Sequence, residues 1–225
     1  MSSEGAELRE LAERVPRLHV RTIFDVGANT GQTVRLFRRV WPDASILAFE
    51  PVQSTFERLQ ANVASDTDTR CFRLAFGDQR SRARMSSKPL GTMNRIVADS
   101  SPGDVAQEEV EVETGQHFCA GQGISAIDFL KIDAEGFDLK VCRGFEAMLR
   151  EQKVAILQLE VGLQLHDKRH IPLHEFQTYL DSLGYRLFRI HNQRIDPRRP
   201  AGRRGNAIFI SDRTIAENTI EQPRS

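Results

Sequence analysis

Apolar positions along this chain switch repeatedly between the spacing of a helix and the spacing of a strand. Apolar residues three and four positions apart predict a short helix over about 5–16. A β-branched and aromatic run over 22–26 then stops at Gly27, as a buried parallel strand does. Helical spacing returns over 33–40. The chain therefore begins with a helix, a strand, a glycine turn and a second helix.

The same alternation predicts seven strands and five helices in all. The predicted strands are 22–26, 46–49, 70–76, 126–132, 154–161, 185–190 and 207–210. A polar stretch over about 78–123 interrupts the rhythm, and we interpret it as an insertion on the substrate side. Its alternating Val110-Glu111-Val112-Glu113 indicates a small hairpin. The polar end over about 212–225 is expected to fray.

Strands that alternate with helices favour an α/β fold with a mostly parallel sheet. The last two strands have no helix between them, so they are expected to form a terminal antiparallel hairpin. This pattern predicts a Rossmann-like, doubly wound sheet. A chain of 225 residues can bury one large core, so we expect a single domain over 1–225.

Charge, cysteine content and hydropathy exclude several classes of partner. Lys plus Arg and Asp plus Glu balance at 31 each, so no global field attracts nucleic acid or an anionic membrane. The three cysteines lack metal-binding or disulfide spacing, which indicates reduced thiols. Four glutamates in the first 21 residues disfavour a signal peptide, and no run approaches the ~18 apolar residues of a membrane span. We expect a cytoplasmic protein that binds no nucleic acid.

The first candidate site is the glycine turn Asp25-Val26-Gly27-Ala28-Asn29-Thr30-Gly31 after the first strand. Open α/β sheets bind ligands at this edge, and glycines let the backbone approach a ligand. Asn29 stands where a dinucleotide-binding turn has its middle glycine, so a ligand without pyrophosphate fits better. Glu50 ends the second strand and can accept hydrogen bonds from ribose hydroxyls. The alternative for Glu50 is a solvated strand-end charge.

Carboxylates also cluster after the fourth and fifth predicted strands. Asp133 and Glu135 alternate in an extended segment, which sends both to the same side. Glu160 ends the next strand, and adjacent strands lie about 4.8 Å apart, so Asp133 and Glu160 could face one acceptor or one divalent ion. A base or metal that removes its proton activates a hydroxyl as a nucleophile. The alternative is structural: such an acid caps a helix or pairs with Lys131 or Arg143.

Three segments of the chain resemble the FkbM-type methyltransferases. They are Phe24-Asp25-Val26-Gly27-Ala28-Asn29-Thr30-Gly31, Ala48-Phe49-Glu50-Pro51 with Leu59 and Asn62, and Leu130-Lys131-Ile132-Asp133-Ala134-Glu135-Gly136 with Arg143-Gly144. The resemblance covers about residues 20–162. It implies a class I methyltransferase fold that uses S-adenosylmethionine to methylate hydroxyls of sugars, glycolipids or polyketide-type products.

The resemblance also implies roles for particular residues. Gly27 and Gly31 would lie near the methionine part of the cofactor, Glu50 at its ribose, and Asp78 or its neighbours near its adenine. The candidate cofactor-binding residues are Asp25, Gly27, Asn29, Gly31, Glu50, Pro51 and Asp78. The candidate catalytic residues are Asp133, Glu135, Glu160 and His166, with Asp133 and Glu160 also candidate ligands of a divalent metal such as Mg²⁺.

Histidines and arginines near the end of the chain leave alternatives open. His166, His170 and His174 recur every four residues, but Pro172 disrupts one helix through all three. They form either a polar surface loop or a general base that reaches over the site. The arginine-rich stretch over 186–204 is either solvated or binds the acceptor or a second copy, as in a homodimer.

We therefore expect an O-methyltransferase that acts on a hydroxyl of a small molecule or glycan. One rival is an N-methyltransferase acting on a small amine or RNA. The usual Asn/Asp-Pro-Pro-aromatic signature of such enzymes is replaced here by Asp133-Ala134-Glu135-Gly136. A second rival is an NAD-dependent oxidoreductase, which Asn29 disfavours. A third is a non-catalytic module that retains the cofactor pocket.

Overall fold

The computed structural model describes residues 3–86, 107–164, 170–196 and 199–219. The helices are α1 Ser3–Arg14, α2 Gln32–Val40, α3 Gln53–Val63, α4 Gly115–Gln122, α5 Asp138–Gly144, α6 Glu146–Arg150, α7 Leu173–Asp181 and α8 Asp212–Asn218. The strands are β1 Thr22–Val26, β2 Ser45–Phe49, β3 Thr69–Phe72, β4 Ala75–Phe76, β5 Ser81–Ser86, β6 Gln107–Glu113, β7 Ile127–Ile132, β8 Val154–Gly162, β9 Tyr185–Asp196 and β10 Arg199–Ser211.

Seven strands form one sheet in the order β3-β2-β1-β7-β8-β10-β9. The first five of these run parallel, and β10 is antiparallel to both β8 and β9. This arrangement confirms the predicted Rossmann-like α/β fold with a terminal antiparallel hairpin. Strand β1 lies between β2 and β7, where the strand order reverses, so a crevice is expected at the carboxyl end of β1.

Helices cover both faces of the sheet, which explains why its central strands are almost continuously apolar. On one face, the buried ring of Phe24 lies 6.2 Å from that of Phe145, between α5 and α6. On the other face, Phe129 packs against Phe37 of α2 with ring centroids 5.1 Å apart. Two apolar layers therefore fix the strand ends that carry the polar side chains.

The inserted region adds a second, smaller sheet with the strand order β4-β6-β5. Strands β5 and β6 pair antiparallel, which confirms the predicted hairpin. The expectation of one strand over 70–76 was wrong, because β3 joins the main sheet and β4 joins the small one. The break falls at exposed Arg73, whose guanidinium donates to the Pro51 carbonyl oxygen at 3.4 Å.

Residues 138–150 form two short helices, α5 and α6, which meet at Phe145. One further expectation was wrong. Residues 212–218 form helix α8 instead of a frayed end, because the Ser211 hydroxyl caps it by accepting from the Thr214 N–H at 3.1 Å. Within the described ranges, no helix is long and apolar enough to cross a bilayer.

Candidate active site

A cleft of about 710 Å³, including the part open to solvent, lies at the carboxyl ends of β1, β2 and β7. Its lining residues are Val26, Gly27, Asn29, Glu50, Pro51, Leu74, Ala75, Phe76, Met85, Asp133, Ala134, Glu135 and Phe137. Six of the residues predicted for the site are among them: Gly27, Asn29, Glu50, Pro51, Asp133 and Glu135.

The glycine turn allows two strand ends to meet at the cleft. Gly27 has a φ of 75°, and a Cβ atom there would lie 2.0 Å from the carbonyl oxygen of Asp133. Asn29 adopts a φ of 50°, which asparagine tolerates better than most residues. Gly31 lies outside the cleft lining, and its Cβ position would be 3.1 Å from side chains of Leu59 and Val63. Gly31 thus packs the turn against α3.

Glu50 lies beside the glycine turn, on the same wall of the cleft, and is 5% exposed. Its Oε1 accepts from the Val52 N–H at 3.1 Å, and its Oε2 accepts from the Asn29 N–H at 3.2 Å. Burial raises the pKa of Glu50 to about 7, although these two backbone donors oppose the shift. Glu50 is therefore a fixed, partly desolvated acceptor and not a solvated strand-end charge.

A buried ion pair connects the two halves of the site. Lys131 of β7 places its Nζ 2.9 Å from Asp25 Oδ1 of β1 and 3.7 Å from Asp133 Oδ2. Asp25 is fully buried beneath the glycine turn, and its Oδ2 has no hydrogen-bond partner among the described residues. Asp25 thus pairs with Lys131 through one carboxylate oxygen, and its Oδ2 remains available as an acceptor.

Asp133 and Glu135 lie together on the β7 side of the cleft. Desolvation raises the pKa of Asp133 against the opposing charge of Lys131, and Glu160 and Asp25 raise it further. Desolvation and the Asp133 charge raise the pKa of Glu135. The structure places both residues on one wall, but Glu135 lies in a turn with a φ of 49° and not in the extended segment that the sequence predicted.

Sequence reasoning missed Asp138, which is 3% exposed at the start of α5. Its Oδ1 accepts from the Ala134 N–H at 3.2 Å and its Oδ2 from the Gly136 N–H at 3.0 Å. Burial, followed by the Asp133 charge, raises the pKa of Asp138 to about 7. An acid directly after a glycine turn and before a helix is a capping signal that could have identified it.

Glu160 lies one residue beyond Leu159, which pairs with Ile132 in the sheet. Its Oε1 accepts from Arg204 at 2.9 Å, and its Oε2 lies 3.4 Å from His170 Nε2. Burial alone would raise the pKa of Glu160, but the His170 hydrogen bond and the Arg204 charge lower it overall. Lys131, one of the partners that the structural alternative named, pairs instead with Asp133 at 3.7 Å.

Other predicted residues fall outside the cleft or outside the described ranges. Asp78 is exposed just beyond β4 and does not line the cleft, and His166 lies outside the described residues. Across the described ranges, no group of three or more His, Cys, Asp or Glu side chains is arranged to hold a metal ion. The metal role of Asp133 and Glu160 stays a prediction.

Part of the cleft wall is apolar and comes from residues that sequence reasoning did not place at the site. The segment Leu74-Ala75-Phe76 and Met85 of β5 line it together with Phe137. Met85 packs with Val52, Val110 and other residues of the small sheet. The carboxylates follow strand-end patterns, but this wall depends on the path of the insertion, which periodicity does not predict.

The chain is similar in sequence to known proteins. The family model described as Methyltransferase FkbM domain matches residues 25–187, which is more than half of the chain. "Methyltransferase sdnD" of Sordaria araneosa is 26% identical over 155 residues, covering 55% of this chain and 60% of that protein. This chain therefore spans less than two thirds of that relative.

Two solved structures show the same fold. "Methyltransferase FkbM" from Methylobacillus flagellatus KT superposes with a TM-score of 0.56 and 16% identity, covering 85% of this chain and 44% of that one. Magnesium protoporphyrin IX methyltransferase from Synechocystis PCC 6803, solved with bound S-adenosylmethionine, gives a TM-score of 0.52 and 7% identity, covering 93% and 78%. At these identities the likeness concerns the fold.

Proposed function

This chain belongs to the FkbM methyltransferase family, and from that premise we propose that it transfers a methyl group from S-adenosylmethionine to a hydroxyl of a carbohydrate, glycolipid or other natural product. The observation that carries the proposal is a single cleft with two chemically different walls. Gly27 and Glu50 form one wall, and Asp133 and Glu135 form the other. The first suits an adenosyl cofactor, and the second suits a hydroxyl acceptor.

The residues of the first wall fit S-adenosylmethionine. The Gly27 backbone lines the cleft, and the fixed Glu50 carboxylate can accept from ribose hydroxyls. The apolar side chains of Leu74, Phe76 and Met85 offer a surface for the adenine ring. Asp78, two residues after Phe76 in the chain, stays a candidate contact of the adenine although it lies outside the cleft lining. Asp25 Oδ2 is a spare buried acceptor beneath the turn. When bound, the cofactor supplies an electrophilic methyl group.

The residues of the second wall suit the acceptor. Asp133 accepts the proton of the acceptor hydroxyl, and Lys131, 3.7 Å away, favours its ionised form. Glu135 contacts the acceptor beside Asp133, and Glu160 supports this wall through Arg204 and His170. His166 is a second candidate base, and a divalent ion held by Asp133 and Glu160 is a second way to activate the hydroxyl. Loss of turnover after chelation would favour the ion.

Isothermal titration with S-adenosylmethionine and, separately, with NAD tests the cofactor. We expect one-to-one binding of S-adenosylmethionine alone. Glu50→Ala should weaken it at least tenfold, because the ribose hydroxyls lose their acceptor. Glu57→Ala is the matched control, since Glu57 is exposed on the neighbouring helix α3. Selective binding of NAD, or full affinity in Glu50→Ala, would contradict the assignment.

Turnover with hydroxylated glycans tests the chemistry. The protein and its Asp133→Asn variant are compared by the formation of S-adenosylhomocysteine. We expect the variant to bind the cofactor normally and to lose at least 100-fold in kcat, the lower end for a general base. Wild-type turnover in Asp133→Asn would rule out Asp133 as the base. Methylation of amines but not of alcohols would favour an N-methyltransferase.

A further inference from the structure

The turn between β7 and α5 holds a glutamate in a conformation that this residue type avoids. Glu135 has a φ of 49°, and Gly136 beside it has a φ of 96°. Glycine adopts positive φ without cost, but a glutamate is disfavoured there. Such strain persists where surrounding contacts impose it, and it is concentrated at functional sites. Since Glu135 lines the cleft, we expect nearby contacts to hold it in this conformation.

Asp138 provides these contacts. Its two carboxylate oxygens accept from the N–H groups of Ala134 and Gly136, at 3.2 Å and 3.0 Å, on either side of Glu135. Asp138 is almost fully buried and does not itself line the cleft. Burying a carboxylate costs free energy unless the group is hydrogen-bonded. Both oxygens of Asp138 make their hydrogen bonds to this one short turn.

We propose that Asp138 is a positioning residue, which holds the 133–136 turn so that the Asp133 and Glu135 carboxylates face the acceptor hydroxyl. This inference rests on the proposed function and deepens it, because it assigns the geometry of the acceptor wall to a residue that never touches the acceptor. Glu135 contacts the acceptor, and Asp138 acts through Glu135 and Asp133.

Hydrogen exchange at single amides, followed by NMR, tests the holding role without any assay of activity. In Asp138→Ala we expect the Ala134 and Gly136 amides to exchange at least tenfold faster. In Asp138→Asn only one of the two should change, because the amide side chain keeps one acceptor oxygen. The Asp133 amide, which donates to the Val26 carbonyl at 3.0 Å, is the internal reference. Unchanged exchange at both amides would overturn the proposal.

Kinetics then test the consequence for the acceptor. Asp138→Asn should lower kcat at least tenfold, about 1.4 kcal/mol in the barrier, and leave the Kd for S-adenosylmethionine within twofold. Asp212→Asn is the matched control, because Asp212 also begins a helix, but its side chain is 44% exposed and pairs with Arg186. We expect that control to keep full kcat. Equal losses in kcat, cofactor affinity and thermal stability would reduce Asp138 to a structural role and overturn the proposal.

A second variant separates the turn from the carboxylate that it carries. Glu135→Asn should keep the slow exchange of both amides, because asparagine tolerates positive φ, while kcat falls. Full kcat in this variant would remove Glu135 from the acceptor wall and overturn that part of the proposal. If the wild-type protein binds no S-adenosylmethionine, the proposed function fails together with the acceptor role. The exchange rates would then still decide whether Asp138 holds the turn.

Discussion

Two backbone segments approach each other at Gly27 with no space for a side chain. A Cβ atom there would lie 2.0 Å from the Asp133 carbonyl oxygen, and the φ of 75° disfavours any residue but glycine. Gly27→Ala must therefore move β1 away from β7 or strain the turn. We expect it to destabilise the protein by roughly 2–4 kcal/mol in urea denaturation and to weaken S-adenosylmethionine binding at least tenfold.

Gly121 provides the control for that substitution. It lies in helix α4, and a Cβ atom added there would meet nothing within 4 Å. Gly121→Ala should raise stability by up to about 1 kcal/mol, because alanine favours the helix. Equal effects of the two substitutions would show that the close approach at Gly27 is unimportant.

The raised pKa of Glu50 predicts that cofactor binding depends on pH. Burial raises the pKa of Glu50 to about 7, and the ionised carboxylate is the better acceptor for two ribose hydroxyls. Affinity for S-adenosylmethionine should therefore rise as the pH increases from about 6 to 8. At pH 7, calorimetry in buffers of different ionisation enthalpy should detect roughly half a proton released per cofactor bound. Glu50→Gln should remove this dependence, and a wild-type affinity that is flat with pH would contradict the role.

At the scale of the elements, the sequence predicts features that depend on local pattern and does not predict features that depend on long-range contacts. Strand ends were predictable because buried parallel strands are apolar runs that stop at polar residues, which also located Glu50, Asp133 and Glu160. The split between β3 and β4 was not, because it depends on pairing with β6, more than thirty residues further along the chain. Periodicity contains no information on such a partner.

The same division holds within the candidate site. Alternation predicted that Asp133 and Glu135 lie on one side, and both line the cleft, but Glu135 reaches it through a turn with positive φ that an extended segment does not contain. The partners of Glu160 are Arg204 of β10 and His170, and their choice follows from β10 lying between β8 and β9. The arginine-rich stretch likewise finds acidic partners far away in sequence, as when Arg189 contacts Glu10 of α1.

Helix α8 gives a prediction at this scale. The Ser211 hydroxyl is fully buried, accepts from the Thr214 N–H at 3.1 Å and donates to the Thr214 hydroxyl at 2.9 Å. Ser211→Ala removes this cap and should cost about 1 kcal/mol in urea denaturation. Cofactor affinity should stay unchanged, because the cap lies outside the cleft. As a control, Ser182→Ala at the exposed end of α7 should change stability by less than about 0.5 kcal/mol.

Across the whole molecule, contacts join parts of the chain that are distant in sequence. The Arg17 N–H donates to Asn218 Oδ1 at 2.8 Å, and its guanidinium donates to the Glu217 carbonyl oxygen at 2.9 Å. Glu7 of α1 contacts His191, a buried residue of the edge strand β9. Exposed contacts such as those of Arg17 stabilise little individually, so the core on the two faces of the sheet provides most of the stability.

Cofactor binding should therefore raise the free energy of unfolding of the whole molecule. A ligand present at 100 times its Kd adds about 2.7 kcal/mol to the native state, provided that the unfolded chain does not bind it. For a chain of 225 residues, each kcal/mol raises Tm by about 2–4 °C, so S-adenosylmethionine should raise Tm by roughly 5–11 °C. Differential scanning calorimetry at increasing cofactor concentration measures this shift. Glu50→Ala at the same concentrations should show about half of it or less, whereas Glu57→Ala should show all of it. If both variants shift as the wild type does, the cofactor stabilises the protein from somewhere other than the cleft beside Glu50.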